Sequence, residues 1–409
     1  MKKLLSLMLA ALLTFTLGTI AAAEEKKLNS EDFESLYTLA EQYGFKLGTC
    51  FSYSDLGRNK PFLQIASRHF NSITCTNETK AYSLLNQNAS RMAQDGMPRM
   101  NYAQADAMIK WAQENQVKVR GHVLVWDAYM NDWFFHERYD SSKPYADRET
   151  VRARMKSYIE QVITHFEDKF PGVIYCWDVV NEAIGDNAGE YSASDPRHLR
   201  TVRNGAPNPF LLYAGEDYVE YAFLCARDTV EQLGADIRLF YNDYNMFQSV
   251  KRNAAKELAE SINRYAQDEN GQNRKLIDGI GMQGYIGGYG TQSGCMNNND
   301  IVQVRDSIRE YASLGLEVQI TEMAVRNYEL SQQERHAEFY ANLFKMFRKV
   351  NQDTNGALTA VCIWGISDCP QLPKDNYTWK LNSPYGGLLT EKNELKPEFD
   401  AVYRVLKGE

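Results

Sequence analysis

Glu182 and Glu322 each close an apolar, β-branched run: VIYCWDVV (173–180) leads to the first and LEVQIT (316–321) to the second. A carboxylate is expensive in such surroundings unless it is paired or reacts. Either residue alone reads most simply as half of a structural ion pair. Two of them delivered to one place make a different object, because two carboxyl groups facing one bond are the equipment of glycoside hydrolysis. One stays protonated to donate to the leaving oxygen, while the other attacks the anomeric carbon or activates water. A sugar also needs amides for its hydroxyls and flat aromatic faces for its rings. Asn77, Asn181, Gln283, Trp133 and Trp364 supply those types, although each tryptophan taken alone suits core packing equally well.

Something must bring positions 182 and 322 together. Short β-branched and aromatic runs alternate with longer amphipathic stretches along the chain. Eight runs read as strands: 45–51, 70–75, 117–126, 173–180, 237–243, 276–284, 316–321 and 358–364. Helical patterns fall between them, the clearest at 102–116, 151–166 and 334–350. Eight β-then-α units without a linker or repeat predict a closed (β/α)₈ barrel, with a doubly wound open sheet as the alternative. In a barrel, chemistry belongs at the C-terminal strand ends. There the sequence places Asn181 and Glu182, Tyr244, Gln283 and Tyr285, Glu322, and Trp364.

Other signals are weaker. Gly279-Ile280-Gly281-Met282-Gln283-Gly284 satisfies the dinucleotide fingerprint G-x-G-x-x-G, but its glycines lie within a strand and no helix pattern follows, so nucleotide binding is set aside. Six histidines, with no H-x-H or H-E-x-x-H, leave little for a zinc hydrolase. A net charge of −8 argues against nucleic acid or an anionic membrane as the partner. Met1-Lys2-Lys3, the apolar Leu4 to Ile20 and Ala21-Ala22-Ala23 read as a secretory signal peptide cleaved near Ala23. An uncleaved anchor is the alternative, weakened by Thr14, Thr16, Gly18 and Thr19 within the run. The expected organisation is a signal over 1–23 and one catalytic domain over 24–409. Seven cysteines without C-x-x-C are no disulfide framework. Cys50, Cys176, Cys225 and Cys362 read as buried thiols, with a Cys50–Cys75 bridge as an open alternative.

With these residues in place, NYAQADAMIKWAQENQVKVRGHVLVW (101–126), YCWDVVNEAIGD (175–186), LFYNDYN (239–245), GIGMQG (279–284), VQITEM (318–323) and CIWGISD (362–368) resemble glycoside hydrolase family 10 in content and order. The resemblance implies a secreted endo-β-1,4-xylanase that retains anomeric configuration, works in a (β/α)₈ barrel without cofactor or metal, and acts as a monomer on xylan or xylo-oligosaccharides. It also implies that Glu182 is the acid/base and Glu322 the nucleophile. Asn181 matches the amide that contacts the 2-hydroxyl, and Asn77 and Lys80 the glycone-side N-x-x-K pair. Gln283 matches the strand-six glutamine and Trp364 the aromatic after strand eight, while Trp133 and Tyr244 match other sugar-contacting aromatics.

The departures gather at the same site. Where the family has His, Glu, Trp, His and Asp, this chain has Asp127, Thr76, Ala81, Tyr285 and Ala324. A second tryptophan, eight residues after the first in the family, has its nearest counterpart here in Trp379. Two consequences are expected. Tyr285 holds Glu322 directly through its hydroxyl. Asp127 either adds a third carboxylate that raises a neighbouring glutamate, or turns away to an Arg or Lys. Two other functions stay open on sequence grounds: the same chemistry on decorated xylan or another β-glycoside, and a sugar-binding barrel with little turnover.

Overall fold

The computed structural model describes residues 28–288, 295–371 and 383–409. The expected signal segment and Trp379 lie outside them. Eight parallel strands form a closed barrel: β1 (Lys46–Phe51), β2 (Ser72–Cys75), β3 (Lys118–Gly121), β4 (Ile174–Asn181), β5 (Arg238–Tyr244), β6 (Gly279–Gln283), β7 (Glu317–Met323) and β8 (Leu358–Ile363). Closure is made by β1 pairing with β8, Lys46 opposite Ala360 through Thr49 opposite Ile363. That pairing excludes the open sheet.

All eight expected strands are present, and the differences lie at their ends. The third is shorter than expected, since 122–126 leaves the ladder after Gly121 and keeps one bridge, Val125 to Val180. The helix expected over 151–166 spans Arg148–Lys169, because the Asp147 side chain caps it by accepting from the Thr150 amide at 2.7 Å. Its buried residues, Val151, Met155, Tyr158, Ile159, Val162, Ile163 and Phe166, recur every three to four positions and form one stripe against the barrel. The helix Gln333–Asp353 presents Tyr340, Leu343, Phe344, Phe347 and Val350 in the same way. The apolar core therefore lies between the sheet and its helices.

The inside of the barrel is partly ionic. Arg120 on β3 and Asp178 on β4 form a buried ion pair through both terminal guanidinium nitrogens, and Arg120 Nε donates to Gln319 Oε1 at 2.8 Å. Burial alone would raise the Asp178 carboxyl, but the Arg120 charge and the bonds from His122 and Arg120 outweigh it and hold it below the usual carboxylate range. Close neighbours inside the barrel, Arg120 among them, account for the glycines that imitate a nucleotide fingerprint. A Cβ on Gly281 would lie 2.4 Å from Asn242 Oδ1 and 2.9 Å from an Arg120 nitrogen, and one on Gly279 would lie 2.4 Å from the Phe240 ring. These glycines make room for neighbours across the barrel.

Among the described residues there is no disulfide. Cys50 and Cys75 are not bridged, and Cys50, Cys176, Cys225 and Cys362 are all buried.

Candidate active site

Both glutamates follow an irregularity in their strands. Between Asp178 and Val180, β4 carries one residue more than its β5 partner, and between Ile320 and Met323, β7 carries one more than β8. An extra residue re-aims the side chains that follow it. Strict alternation would put 178, 180 and 182 on one face. Instead Asp178 faces Arg120, and Asn181 joins it on the inside by accepting from Asn242 Nδ2 at 2.9 Å. Glu182 then takes a left-handed backbone, φ +53°, a conformation that costs a non-glycine residue energy and tends to survive at functional sites.

The two carboxylates are held by different partners. Glu182 Oε1 accepts from Gln283 Nε2 at 3.0 Å, and Oε2 accepts from an Arg203 nitrogen at 3.0 Å. Glu322 Oε2 accepts from the Tyr285 hydroxyl at 2.6 Å. Burial raises the Glu182 carboxyl and the Asp243 charge adds to it, against Arg203, Gln283 and Lys251, with a net rise. Burial also pushes Glu322 up to about 7. The Tyr285 bond and Lys80 pull it down, and the Glu182 and Asp178 charges push it up. Two acids that feel each other through a buried site share protons as a pair.

Asn77 and Lys80 lie together beside two aromatic rings. Lys80 Nζ donates to Asn77 Oδ1 at 3.1 Å and lies over the rings of Trp126 and Tyr129, 5.1 and 4.5 Å from their centroids. Burial lowers its pKa, opposed by Glu322, Glu182 and Glu78. Gln283 Nε2 also reaches Asn181 Oδ1 at 3.3 Å, while Trp364 is buried with its ring 6.4 Å from that of His122. Two buried donors at this site, Asn181 Nδ2 and Trp126 Nε1, have no acceptor among the described residues. Such a group costs about 1–3 kcal/mol, a cost that a ligand hydroxyl can remove.

Two further residues matched by the resemblance have neighbours of their own. The Tyr244 hydroxyl is engaged by Asp186 and by an Arg200 nitrogen at 3.0 Å, with Lys251 3.5 Å from its ring centroid. Trp133 belongs to the turn Asp132–Phe135, edge-on to Tyr139 at 5.8 Å. No hydrogen bond or ring contact joins it to the two glutamates among the described residues.

Asp127 decides between the alternatives left open for it. Its oxygens accept from Arg203 Nε at 2.8 Å and from a terminal Arg203 nitrogen at 2.9 Å. It is therefore paired with an arginine, and the idea of a bare third carboxylate is corrected. It does not turn away, however, because the same guanidinium contacts Glu182. Sequence reading missed Arg203 and His122. His122 bonds Asp178 through Nδ1 at 2.8 Å, and burial lowers its pKa to about 4, so the ring is neutral. Arg203 carried a legible signal: it precedes Asn204-Gly205, whose φ values of +50° and +81° make the tight hairpin that an Asn-Gly pair favours.

With this geometry established, three comparisons place the chain among known proteins. A model described as glycosyl hydrolase family 10 matches residues 35–405. The chain is 34% identical over 318 residues to a putative endo-1,4-β-xylanase of Caldicellulosiruptor saccharolyticus, covering 74% of this chain and 92% of that protein. It is 32% identical over 341 residues to endo-1,4-β-xylanase B of Butyrivibrio fibrisolvens, covering 82% of this chain and 48% of that one. The chain thus spans less than half of the second relative, and less again of several others. In three dimensions it resembles an intracellular xylanase from Thermoanaerobacterium saccharolyticum, with a TM-score of 0.69, 30% identity, and 91% and 98% of the two chains covered. A variant of that protein was solved in complex with xylotetraose.

Proposed function

Because this chain belongs to glycosyl hydrolase family 10, we propose that it is a retaining endo-β-1,4-xylanase in which Glu322 attacks the anomeric carbon and Glu182 serves as acid and then base. One observation carries the reading: two buried carboxylates with raised pKa values share a site with two buried donors that have no acceptor among the described residues. That combination suits a neutral, hydroxyl-rich substrate. The xylanase names of the relatives supply the substrate class.

In the first step the Glu322 carboxylate forms a bond to the anomeric carbon as the bond to the leaving oxygen breaks, and that oxygen takes the Glu182 proton. In the second, Glu182 removes a proton from water as it attacks the same carbon, and Glu322 leaves as carboxylate. Asn181 Nδ2 is placed to donate to a hydroxyl of the attacked sugar. Gln283 and Arg203 both donate to Glu182 and oppose the rise that burial gives its carboxyl, while the Tyr285 hydroxyl donates to Glu322.

The first 23 residues are read as an export signal, and the mature enzyme then starts near Glu24. N-terminal sequencing of protein collected outside the cell checks this, and an intact Met1 there would refute it. The activity is tested by release of reducing ends from plain and decorated xylans, glucans and mannans, with NMR of the first anomer formed. Release from xylan with a β-configured first product is expected. No release from any xylan, or an α product, would overturn the reading.

A further inference from the structure

Arg203 stands on the short hairpin Val202–Arg203 and Ala206–Pro207, within the long connection that follows β4. The hairpin turns at Asn204-Gly205, so a tight turn fixes the direction in which the arginine is offered. Its guanidinium is used on two sides. One side holds Asp127 through two bonds at 2.8 and 2.9 Å. The other reaches Glu182 twice, the carboxylate Oε2 at 3.0 Å and the backbone carbonyl at 2.8 Å. Side-chain exposures of 17% for Arg203, 4% for Asp127 and 11% for Glu182 leave little water to screen these charges.

A clamp with a purely structural task would need the carbonyl alone. Here one of the four acceptor contacts is the carboxylate that is proposed to give and take the proton. Among the described residues Arg203 is the one cation hydrogen-bonded to that carboxylate. Other charges face Glu182 from every side, and most are already matched. Asp243 on β5 meets Lys251, from the helix Ser249–Arg264, at 2.7 Å. Arg200 spends its guanidinium on Asp186, Glu190 and the carbonyls of Glu182 and Ile184. Lys80, from the segment after β2, feels the charges of both Glu182 and Glu322, as does Tyr129, whose ring it overlies. Asp127 completes the set by matching Arg203, so the guanidinium that lowers the Glu182 carboxyl carries its own counter-charge while fixing that glutamate in place.

We propose that Arg203 is a positioning residue for Glu182, and that Asp127 balances its charge so that Glu182 can still take up the proton the acid step requires. The pair is then a functional replacement for the histidine expected at position 127, built from two residues 76 positions apart. The proposal rests on the reading of Glu182 as acid/base.

The test is the dependence of kcat/KM on pH, recorded for the parent, Arg203→Gln, Arg203→Lys and Asp127→Asn on a xylo-oligosaccharide, or on whichever β-glycoside the parent cleaves. The upper limb reports loss of the proton shared by the glutamates. Arg203→Gln removes a cation and leaves Asp127 unmatched, so the limb is expected to rise by about one pH unit. Asp127→Asn leaves the cation unmatched, so the limb is expected to fall by a similar amount. Arg203→Lys keeps the charge and is expected to stay near the parent. Opposite movements are the signature, because damage to a structural clamp would lower activity in both variants without separating their limbs. Limbs that coincide with the parent's, or that move the same way, overturn the proposal. If Arg203→Gln does not fold, Asp127→Asn decides alone, with a fall supporting the proposal and any other result overturning it. Inactivity of the parent on every glycoside would instead fail the functional reading, which separates the two.

Discussion

The Tyr285 hydroxyl donates to Oε2 of Glu322 at 2.6 Å, and Tyr285 forms an isolated parallel bridge to Ala324, the residue just past β7. The two positions where the family has His and Asp are thus neighbours in space, and they have changed together. A tyrosine donates to a carboxylate without bringing charge and needs no second residue to orient it. Removing the hydroxyl in Tyr285→Phe should lower kcat about tenfold or more, as expected for a bond to a charged group worth about 1.5–3 kcal/mol, with KM little changed. The bond holds Glu322 down, so its loss raises that carboxyl, and the lower limb of the pH profile should move to higher pH. An unmoved limb would show that the contact is not part of the working site.

The roles of the two glutamates are separated by substrate. Glu322→Ala should abolish turnover of every glycoside, since no glycosyl-enzyme can form. Glu182→Ala should lose turnover of xylan by several orders of magnitude, yet keep a rapid first step on aryl glycosides whose leaving group needs no proton. A pre-steady-state burst of phenol measures this directly. Equal losses on both substrate types would contradict the assignment.

Asn181 has its oxygen committed to Asn242 and Gln283, and its nitrogen has no acceptor among the described residues. Asn181→Ala should reduce kcat/KM on substrates with a 2-hydroxyl by about 100-fold, through a contact that strengthens in the transition state. On the 2-deoxy analogue parent and variant should be nearly equal. A uniform loss on both would assign Asn181 to support of the barrel interior.

Below the site, Arg120→Met leaves the buried Asp178 carboxylate with His122 alone as its charged or chargeable partner. Breaking such a pair costs about 3–5 kcal/mol, readable as a lower midpoint in urea unfolding at pH 7. Because the Asp178 carboxyl lies below its ordinary value, its contribution is complete above the unfolded carboxylate range near pH 4 and is lost as the pH falls through the folded value. The gap between parent and variant should therefore narrow in acid. A gap independent of pH would place the damage in packing alone.

Much of this was written locally. Strand order, the two glutamates and the amides beside them follow from apolar runs and from the residues that end them, because a strand's identity and its C-terminal end are properties of a few consecutive residues. The Asn204-Gly205 turn was equally local and equally legible. What the hairpin carries was not. Arg203 meets Asp127 and Glu182 only because the connection after β4 folds back across the barrel mouth, and no spacing in the sequence encodes that approach. The same holds for Tyr244, which the family resemblance matched to a sugar-contacting aromatic and around which only the folded chain gathers Asp186, Arg200 and Lys251. Asp127 marks the boundary between the two kinds of information. The sequence required that a carboxylate in an imidazole's place find a cation or disturb its neighbours, since a buried charge must be matched. Only the tertiary structure could choose the cation, because the choice depends on which side chains converge at distances of about 3 Å from segments far apart in the chain.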